Sequence, residues 1–243
     1  SGTPTGQPRF PLTAYQELPD PSQPAAEAWA AVRGTQVTWG TTDVRYAKHE
    51  VPAVKLRTQH SLKGWRGERV NAQAVVWSGE EVKELQFSFS DFKDKRGNLL
   101  PKEALTAGFV RYVMTDELNK DGRGGCGYRK PVDFDSLLVA DPIDHLLQAT
   151  TLPARSVQPI WVQCWIPQSA VAGTYQGDLL VSDGSRQLQR LHLAIEVVDR
   201  VLPQPSEWAF HLDLWQNPYA VARYHQVPLW SEAHFEAMRP LMK

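Results

Sequence analysis

The chain has 243 residues, which allows one large domain or two small ones, and 42% of them are hydrophobic, which is ample for a buried core. Its 26 basic and 27 acidic residues leave a formal charge of −1, which argues against a protein that tracks nucleic-acid phosphates. No apolar run approaches the roughly 18 residues of a membrane-spanning helix. The nine Trp are unusual, because an indole is costly to expose and often serves as a stacking surface.

The N-terminal region predicts an extended lead-in followed by a short helix. Residues 1–24 are rich in Pro, Gln, Ser and Thr. Residues 24–33 carry the helix signal, with a proline near the first turn, an Ala-rich interior and Gly34 just past the end. We therefore assign residues 1–34 to a lead-in with one short helix. The first residues lack the basic and apolar regions of a signal peptide, so we expect a mature start from which a leader was removed.

Strand signals occupy the next part of the sequence. Strands are predicted over residues 70–76, 85–89, 109–114 and 160–166, and the alternation in the first of these predicts one buried and one solvated face. A hairpin is predicted over residues 173–198, with Gly184 in its turn. Strands separated by turns indicate a mainly β domain, an antiparallel β-sandwich over residues 35–203. A short helix is expected near residues 134–147.

The pattern changes after the sandwich region. Two prolines among residues 203–206 stiffen a linker, residues 208–214 predict a short strand, and Ser231 can cap a helix that Pro240 should kink. One strand and one helix cannot bury their own apolar faces. Residues 204–243 are therefore interpreted as a linker and the first β/α unit of an incomplete catalytic (β/α)8 barrel, a fold of about 250 residues. On this interpretation the chain is a fragment of a longer protein.

Several segments together resemble the N-terminal region of glycoside hydrolase family 123. The resemblance begins near Trp39. The Gly-Thr-Tyr-x-Gly hairpin is weak by itself, because many sandwiches contain it, whereas the last segment is specific through its length and odd composition. The segments are residues 45–52, 65–69 with 72–73, 110–113 with 115–117, 126–129, 173–177 and 211–224.

The resemblance implies a secreted or periplasmic bacterial β-N-acetylgalactosaminidase, with a β-sandwich followed by a (β/α)8 barrel. It implies substrate-assisted retention, in which the 2-acetamido oxygen of the sugar attacks C1, an Asp orients that group and the adjacent Glu is the general acid/base. That Asp-Glu pair belongs to a later barrel strand. We therefore expect no catalytic residue in this chain, no hydrolysis by it alone, and a glycan substrate bound through the missing barrel.

The candidate substrate-binding residues are Asp213, Trp215, Gln216 and Asn217. Asp213 could accept hydrogen bonds from sugar hydroxyls, Trp215 could stack on a pyranose, and the two amides could complete a polar lining near the active-site end of a barrel strand. The competing interpretation is that His211 and Asp213, which share one strand face, satisfy each other in the barrel core.

Other polar motifs favour structural roles. Asp116 and Glu117 form a tempting acidic pair, but neighbours on a strand point to opposite faces, so solvated carboxylates are favoured. The loop from Glu117 departs from the calcium pattern at its first position and at Tyr128, its twelfth. The glycines among residues 122–127 lack the lysine of a phosphate loop. We expect no metal and no cofactor.

Two aromatic and two sulfur side chains leave alternatives open. Trp161 and Trp165 share one strand face and could form a glycan-stacking platform, although we favour a face that docks the barrel. Cys126 and Cys164 could pair only if the fold brings them together, which the sequence does not decide. The alternative function is a free-standing carbohydrate-binding or adhesive sandwich module. The natural glycoconjugate and the oligomeric state stay open.

Overall fold

A computed structural model describes Glu17 and residues 23–115, 137–210 and 215–239. The described residues form two compact units, one within Glu17–Pro203 and the other from Gln204 onward. Among these residues, no helix is long and apolar enough to cross a membrane. The acidic pair Asp116 and Glu117, the glycine loop and Cys126 lie outside the described residues.

Ten strands form the first unit and two helices lie in the second. The elements are α1 Ala26–Ala30, β1 Thr35–Trp39, β2 Gln59–Arg66, β3 Arg69–Ser78, β4 Val82–Phe89, β5 Leu105–Thr115, β6 Leu137–Asp144, β7 Ala149–Leu152, β8 Ser156–Trp165, β9 Gly173–Ser182, β10 Gln187–Val201, α2 Pro218–His225 and α3 Glu232–Met238. Short 3-10 turns lie at Lys102–Ala104 and Pro205–Glu207.

The strands form a sandwich of two five-stranded sheets, which confirms the predicted mainly β fold. One sheet has the order β1-β3-β8-β5-β6 and the other β2-β10-β9-β4-β7. The strand pairs are antiparallel except for β2 and β10, which run parallel. The parallel pairing of β2 with β10 is a feature that the predicted antiparallel sandwich did not include. These two strands are distant in the chain, so no hairpin sets their relative direction.

The hairpin of β9 and β10 is confirmed and supplies much of the core. Leu179 lies opposite Leu191 in the antiparallel register, and both side chains are fully buried. In the turn, Gly184 has a φ of +84°, a conformation that glycine adopts without steric cost. The Asp183 carboxylate accepts the Arg186 N–H at 2.8 Å and closes the turn. The alternating pattern of the sequence therefore predicts this hairpin correctly.

Strand β3 is buried on both faces, which corrects the prediction of one solvated face. Val75 and Trp77, on the face away from the main core, pack in a second apolar cluster with Trp29 of α1 and Tyr46. Gln73 shares that face and is buried because its amide donates to two carbonyls in the loop after β1, at 2.7 and 3.0 Å. A helix and a loop thus cover the face that the alternation assigned to solvent.

Residues 137–144 form strand β6, so the helix predicted near residues 134–147 is wrong there. β6 is an edge strand paired antiparallel with β5. Its Pro142 lies where the register shifts between Val110 and Tyr112 of the partner strand. An irregular site on an edge strand is where a sheet tolerates a residue that has no N–H.

The C-terminal unit contains one predicted helix and one that the sequence analysis missed. The Ser231 hydroxyl accepts the His234 N–H at 3.2 Å, which confirms the predicted cap of α3. Helix α2 was not predicted, although Asn217 followed by Pro218 is a helix-start signal. Of the strand predicted over residues 208–214, the described part, residues 208–210, is irregular, and residues 211–214 lie outside the described residues.

Candidate functional site

Three of the four candidate substrate-binding residues form a short loop before α2, here called the 215–217 loop. The Trp215 side chain is 95% exposed, and Gln216 is half-buried. The Asn217 Oδ1 accepts the N–H of Ala220 at 3.2 Å and caps α2. Asp213, like His211, lies outside the described residues. The roles of all four residues in substrate binding therefore stay predictions, while Asn217 has an observed role in starting the helix.

A buried histidine that the sequence analysis did not single out joins the two helices of this unit. His234 of α3 is fully buried. Its Nδ1 accepts the N–H of Trp230 at 3.0 Å, and its Nε2 lies 2.9 Å from the carbonyl oxygen of Pro218 at the start of α2. The contact spans 16 residues, and no local pattern in the sequence announces it.

A cluster of aromatic rings lies beside this histidine. The Trp230 ring centroid lies 5.4 Å from that of His234, 6.4 Å from that of Tyr219 and 6.4 Å from that of Phe235. Trp230 has a φ of +61°, which is unusual for a residue other than glycine. The side chains of Tyr219, Trp230 and Phe235 are each about half exposed or more in this chain. The unit therefore combines a buried polar contact with an exposed aromatic surface.

The two tryptophans of β8 differ in their surroundings. Trp165 is 59% exposed, and the Arg69 guanidinium lies 4.9 Å from its ring centroid, in cation–π contact. Trp161 is half-buried, and its Nε1–H donates to Asn71 Oδ1 at 3.3 Å. Only Trp165 thus offers a substantially exposed ring. The docking face and the glycan-stacking platform both stay predictions.

Cys164 is a free thiol in the sandwich core. Burial raises the pKa of the Cys164 thiol to about 12, so the thiol stays protonated and unreactive at neutral pH. Within residues 23–115, 137–210 and 215–239, no group of three or more His, Cys, Asp or Glu side chains could hold a metal ion. The expectation that the chain binds no metal stays a prediction.

Two sequence models of known families match the chain. The model of the Glycoside hydrolase 123 N-terminal domain matches residues 39–183, more than half of the chain, and the model of the Glycoside hydrolase 123 catalytic domain matches residues 215–243. The chain belongs to glycoside hydrolase family 123. The resemblance stated from the sequence is thereby confirmed. A search of curated protein sequences found no significant match.

The fold of this chain is similar to that of a solved family 123 structure. A family 123 glycoside hydrolase from Clostridium perfringens, analysed for glycolipid glycan hydrolysis, aligns with a TM-score of 0.71 and 21% identity. The alignment covers 86% of this chain and 35% of the clostridial one, so the chain spans about a third of that enzyme. A PapD-like domain of human CEP192 covers 78% of this chain and 99% of its own at 11% identity, but its TM-score is only 0.31.

The family 123 segment at residues 45–52 is hydrogen-bonded to neighbouring elements of the sandwich domain. Tyr46 is buried, and its hydroxyl accepts the Thr41 N–H at 3.0 Å, while its carbonyl accepts the Tyr112 hydroxyl at 3.1 Å. The His49 carbonyl accepts the Trp29 indole N–H at 2.9 Å. These bonds attach the loop to β5 and α1, so the segment has a structural role in this domain.

The Gly-Thr-Tyr-x-Gly hairpin is structural as well. A Cβ placed on Gly177 would lie 2.5 Å from a ring carbon of Phe92, so only glycine fits at this point of β9. Tyr175 is buried and its hydroxyl donates to the Val171 carbonyl at 2.8 Å. These two family segments therefore mark the packing of the sandwich, and three of the four candidate sugar contacts, Trp215, Gln216 and Asn217, lie in the segment that the catalytic-domain model matches.

Proposed function

We propose that this chain is the N-terminal region of a β-N-acetylgalactosaminidase that releases terminal β-linked N-acetylgalactosamine from glycans. The observation that carries the proposal is the succession of two family 123 matches, the N-terminal domain over residues 39–183 and the catalytic domain from residue 215. The enzyme is secreted or periplasmic and bacterial in this proposal. Its sandwich supports the catalytic domain and takes no part in the chemistry.

The proposed reaction uses the substrate's own acetamido group. Its carbonyl oxygen attacks C1 while the bond from C1 to the leaving oxygen breaks, and a Glu protonates that oxygen. An Asp stabilises the resulting cyclic oxazoline. Water then attacks C1, the bond from C1 to the acetamido oxygen breaks and restores the acetamido group, the same Glu takes the proton of the water, and the product keeps the β configuration. The Asp and Glu belong to a part of the catalytic domain beyond residues 215–243, so we propose that this chain alone is not catalytic.

The 215–217 loop contributes binding in this proposal. The exposed Trp215 indole can stack on the apolar face of a pyranose, and Gln216 can hydrogen-bond sugar hydroxyls. The Asn217 Oδ1 caps α2, but its amide nitrogen carries two further donors that the cap does not use. Asp213 accepts hydrogen bonds from hydroxyl groups. These contacts hold the sugar so that the acetamido oxygen is near C1.

The test compares this chain with the enzyme that carries the complete catalytic domain. We expect the complete enzyme to release N-acetylgalactosamine from a chromogenic β-N-acetylgalactosaminide and the 243-residue chain to release none. Release by the chain alone would overturn the division of roles. In the complete enzyme, Asp213→Ala should lower kcat/KM about 100-fold while the circular dichroism spectrum is unchanged. An unchanged kcat/KM would remove Asp213 from the site.

A glycan-binding measurement, combined with the hydrolysis assay, separates the alternative of a carbohydrate-binding sandwich. That alternative draws on the exposed indole of Trp165. It requires the 243-residue chain to bind glycans on an array and to lose the binding in Trp165→Ala. The proposed enzyme requires no such binding. Glycan binding that depends on Trp165, together with an inactive complete enzyme, would favour the alternative.

A further inference from the structure

The hydrogen bonds of His234 define its tautomer. A backbone N–H can only donate, so the contact from the Trp230 nitrogen at 3.0 Å makes Nδ1 an acceptor without a proton. The ring proton then lies on Nε2 and points to the Pro218 carbonyl oxygen at 2.9 Å. A fully buried imidazole therefore has both nitrogens engaged with main-chain groups of two different segments.

The Pro218 carbonyl is relevant to the proposed function because it lies next to the candidate sugar-binding loop. Pro218 is the first residue of α2 and directly follows the 215–217 loop. The Asn217 side chain fixes the helix start from within α2, through Ala220. The bond from His234 fixes the same point from outside, through α3. The His234 bond is therefore the buried side-chain hydrogen bond that ties the start of α2 to α3, beside the ring contact of Tyr219 with Trp230.

We propose that His234 is a positioning residue for substrate binding: its Nε2–H holds the Pro218 carbonyl and thereby keeps the 215–217 loop in the geometry that binds the sugar. The inference rests on the proposed function of that loop. His234 does not touch substrate in this proposal. Its effect should therefore appear in KM rather than in kcat, because the loop supplies binding and the reacting groups lie elsewhere.

Two substitutions separate the two bonds of the ring. In His234→Gln the side-chain amide nitrogen lies as many bonds from Cα as Nε2 and can donate to Pro218. In His234→Asn the side-chain oxygen lies as many bonds from Cα as Nδ1, so it can still accept the Trp230 N–H. This shorter side chain loses the bond to the Pro218 carbonyl. In the enzyme with its complete catalytic domain we expect KM within about twofold of wild type for Gln and raised about tenfold for Asn, the equivalent of one hydrogen bond. A purely structural role predicts no such division.

A second measurement reads the tautomer of His234 in the 243-residue chain. With ¹⁵N-labelled histidine, the ring signals that vanish in His234→Gln are those of His234, and they should show a protonated Nε2 and a bare Nδ1. A protonated Nδ1 in that ring would overturn the inference, as would equal KM values for the two variants of an active enzyme. If the inference alone fails, the wild-type enzyme is still active. An inactive wild-type enzyme would refute the proposed function and this inference with it, so the wild-type activity distinguishes the two failures.

Discussion

Replacing Gly177 by alanine tests the packing of the sandwich at one atom. The added Cβ would lie 2.5, 2.6 and 2.7 Å from three ring carbons of Phe92, whereas ordinary contacts begin near 3.4 Å. Phe92 is only 1% exposed, so its ring has no solvent to move into. Overpacking of this kind costs about 1–3 kcal/mol. The reduced freedom of the unfolded chain returns about 0.4–1 kcal/mol, so the midpoints of the two ranges leave a net loss of roughly 1.3 kcal/mol.

Urea unfolding of the 243-residue chain, followed by tryptophan fluorescence, measures this loss. Gly79→Ala is the matched control, because its Cβ would meet nothing closer than 3.7 Å. We expect the control to change the free energy of unfolding by no more than about 0.5–1 kcal/mol. The double variant Gly177→Ala with Phe92→Leu should be less destabilised than the sum of its parts. Equal stabilities for the two alanine variants would refute the packing argument.

Three further predictions concern single side chains. Tyr112→Phe removes a buried hydroxyl whose single hydrogen is shared between two main-chain carbonyl oxygens, each 3.1 Å away, and should cost about 1–3 kcal/mol in urea unfolding; an unchanged midpoint would show that this donor contributes nothing. Asn217→Ala should speed amide exchange at Ala220, whereas Asn217→Asp keeps the cap and serves as control; equal exchange rates would contradict the cap. Burial raises the pKa of Cys164 to about 12, so at pH 8 this thiol, identified by peptide mapping, should resist labelling in the native protein and react in urea. The free energy of unfolding should fall as the pH rises above 9, and rapid native labelling at Cys164 would contradict its burial.

Local patterns predicted what local interactions determine. The β9–β10 hairpin follows from alternating residues on either side of a glycine turn, and the Ser231 cap follows from one side chain and the amide three residues on. The parallel pairing of β2 with β10 joins distant segments and has no such signal. Residues 137–144 form strand β6 and not the predicted helix because they pair with β5, which is distant in the sequence. The face of β3 that the alternation assigns to solvent is covered by α1.

The candidate site was predictable as a segment but not as an arrangement. The 215–217 loop stands out through its indole and amides, and the catalytic-domain match begins at Trp215. The helix start at Asn217 and Pro218 has a local sequence signal, a capping side chain followed by proline. His234 had none, because one histidine among seven becomes notable only when folding brings it to the Pro218 carbonyl.

The most direct test of the proposed function compares two substrates that differ only in the acetamido group. The enzyme with its complete catalytic domain is assayed on the 4-nitrophenyl glycosides of β-N-acetylgalactosamine and of β-galactose. Because the acetamido oxygen is the proposed nucleophile, the first should be hydrolysed, and kcat/KM for the second should be lower by at least about 1,000-fold. Comparable kcat/KM values for the two glycosides, or no release of N-acetylgalactosamine, would contradict the account.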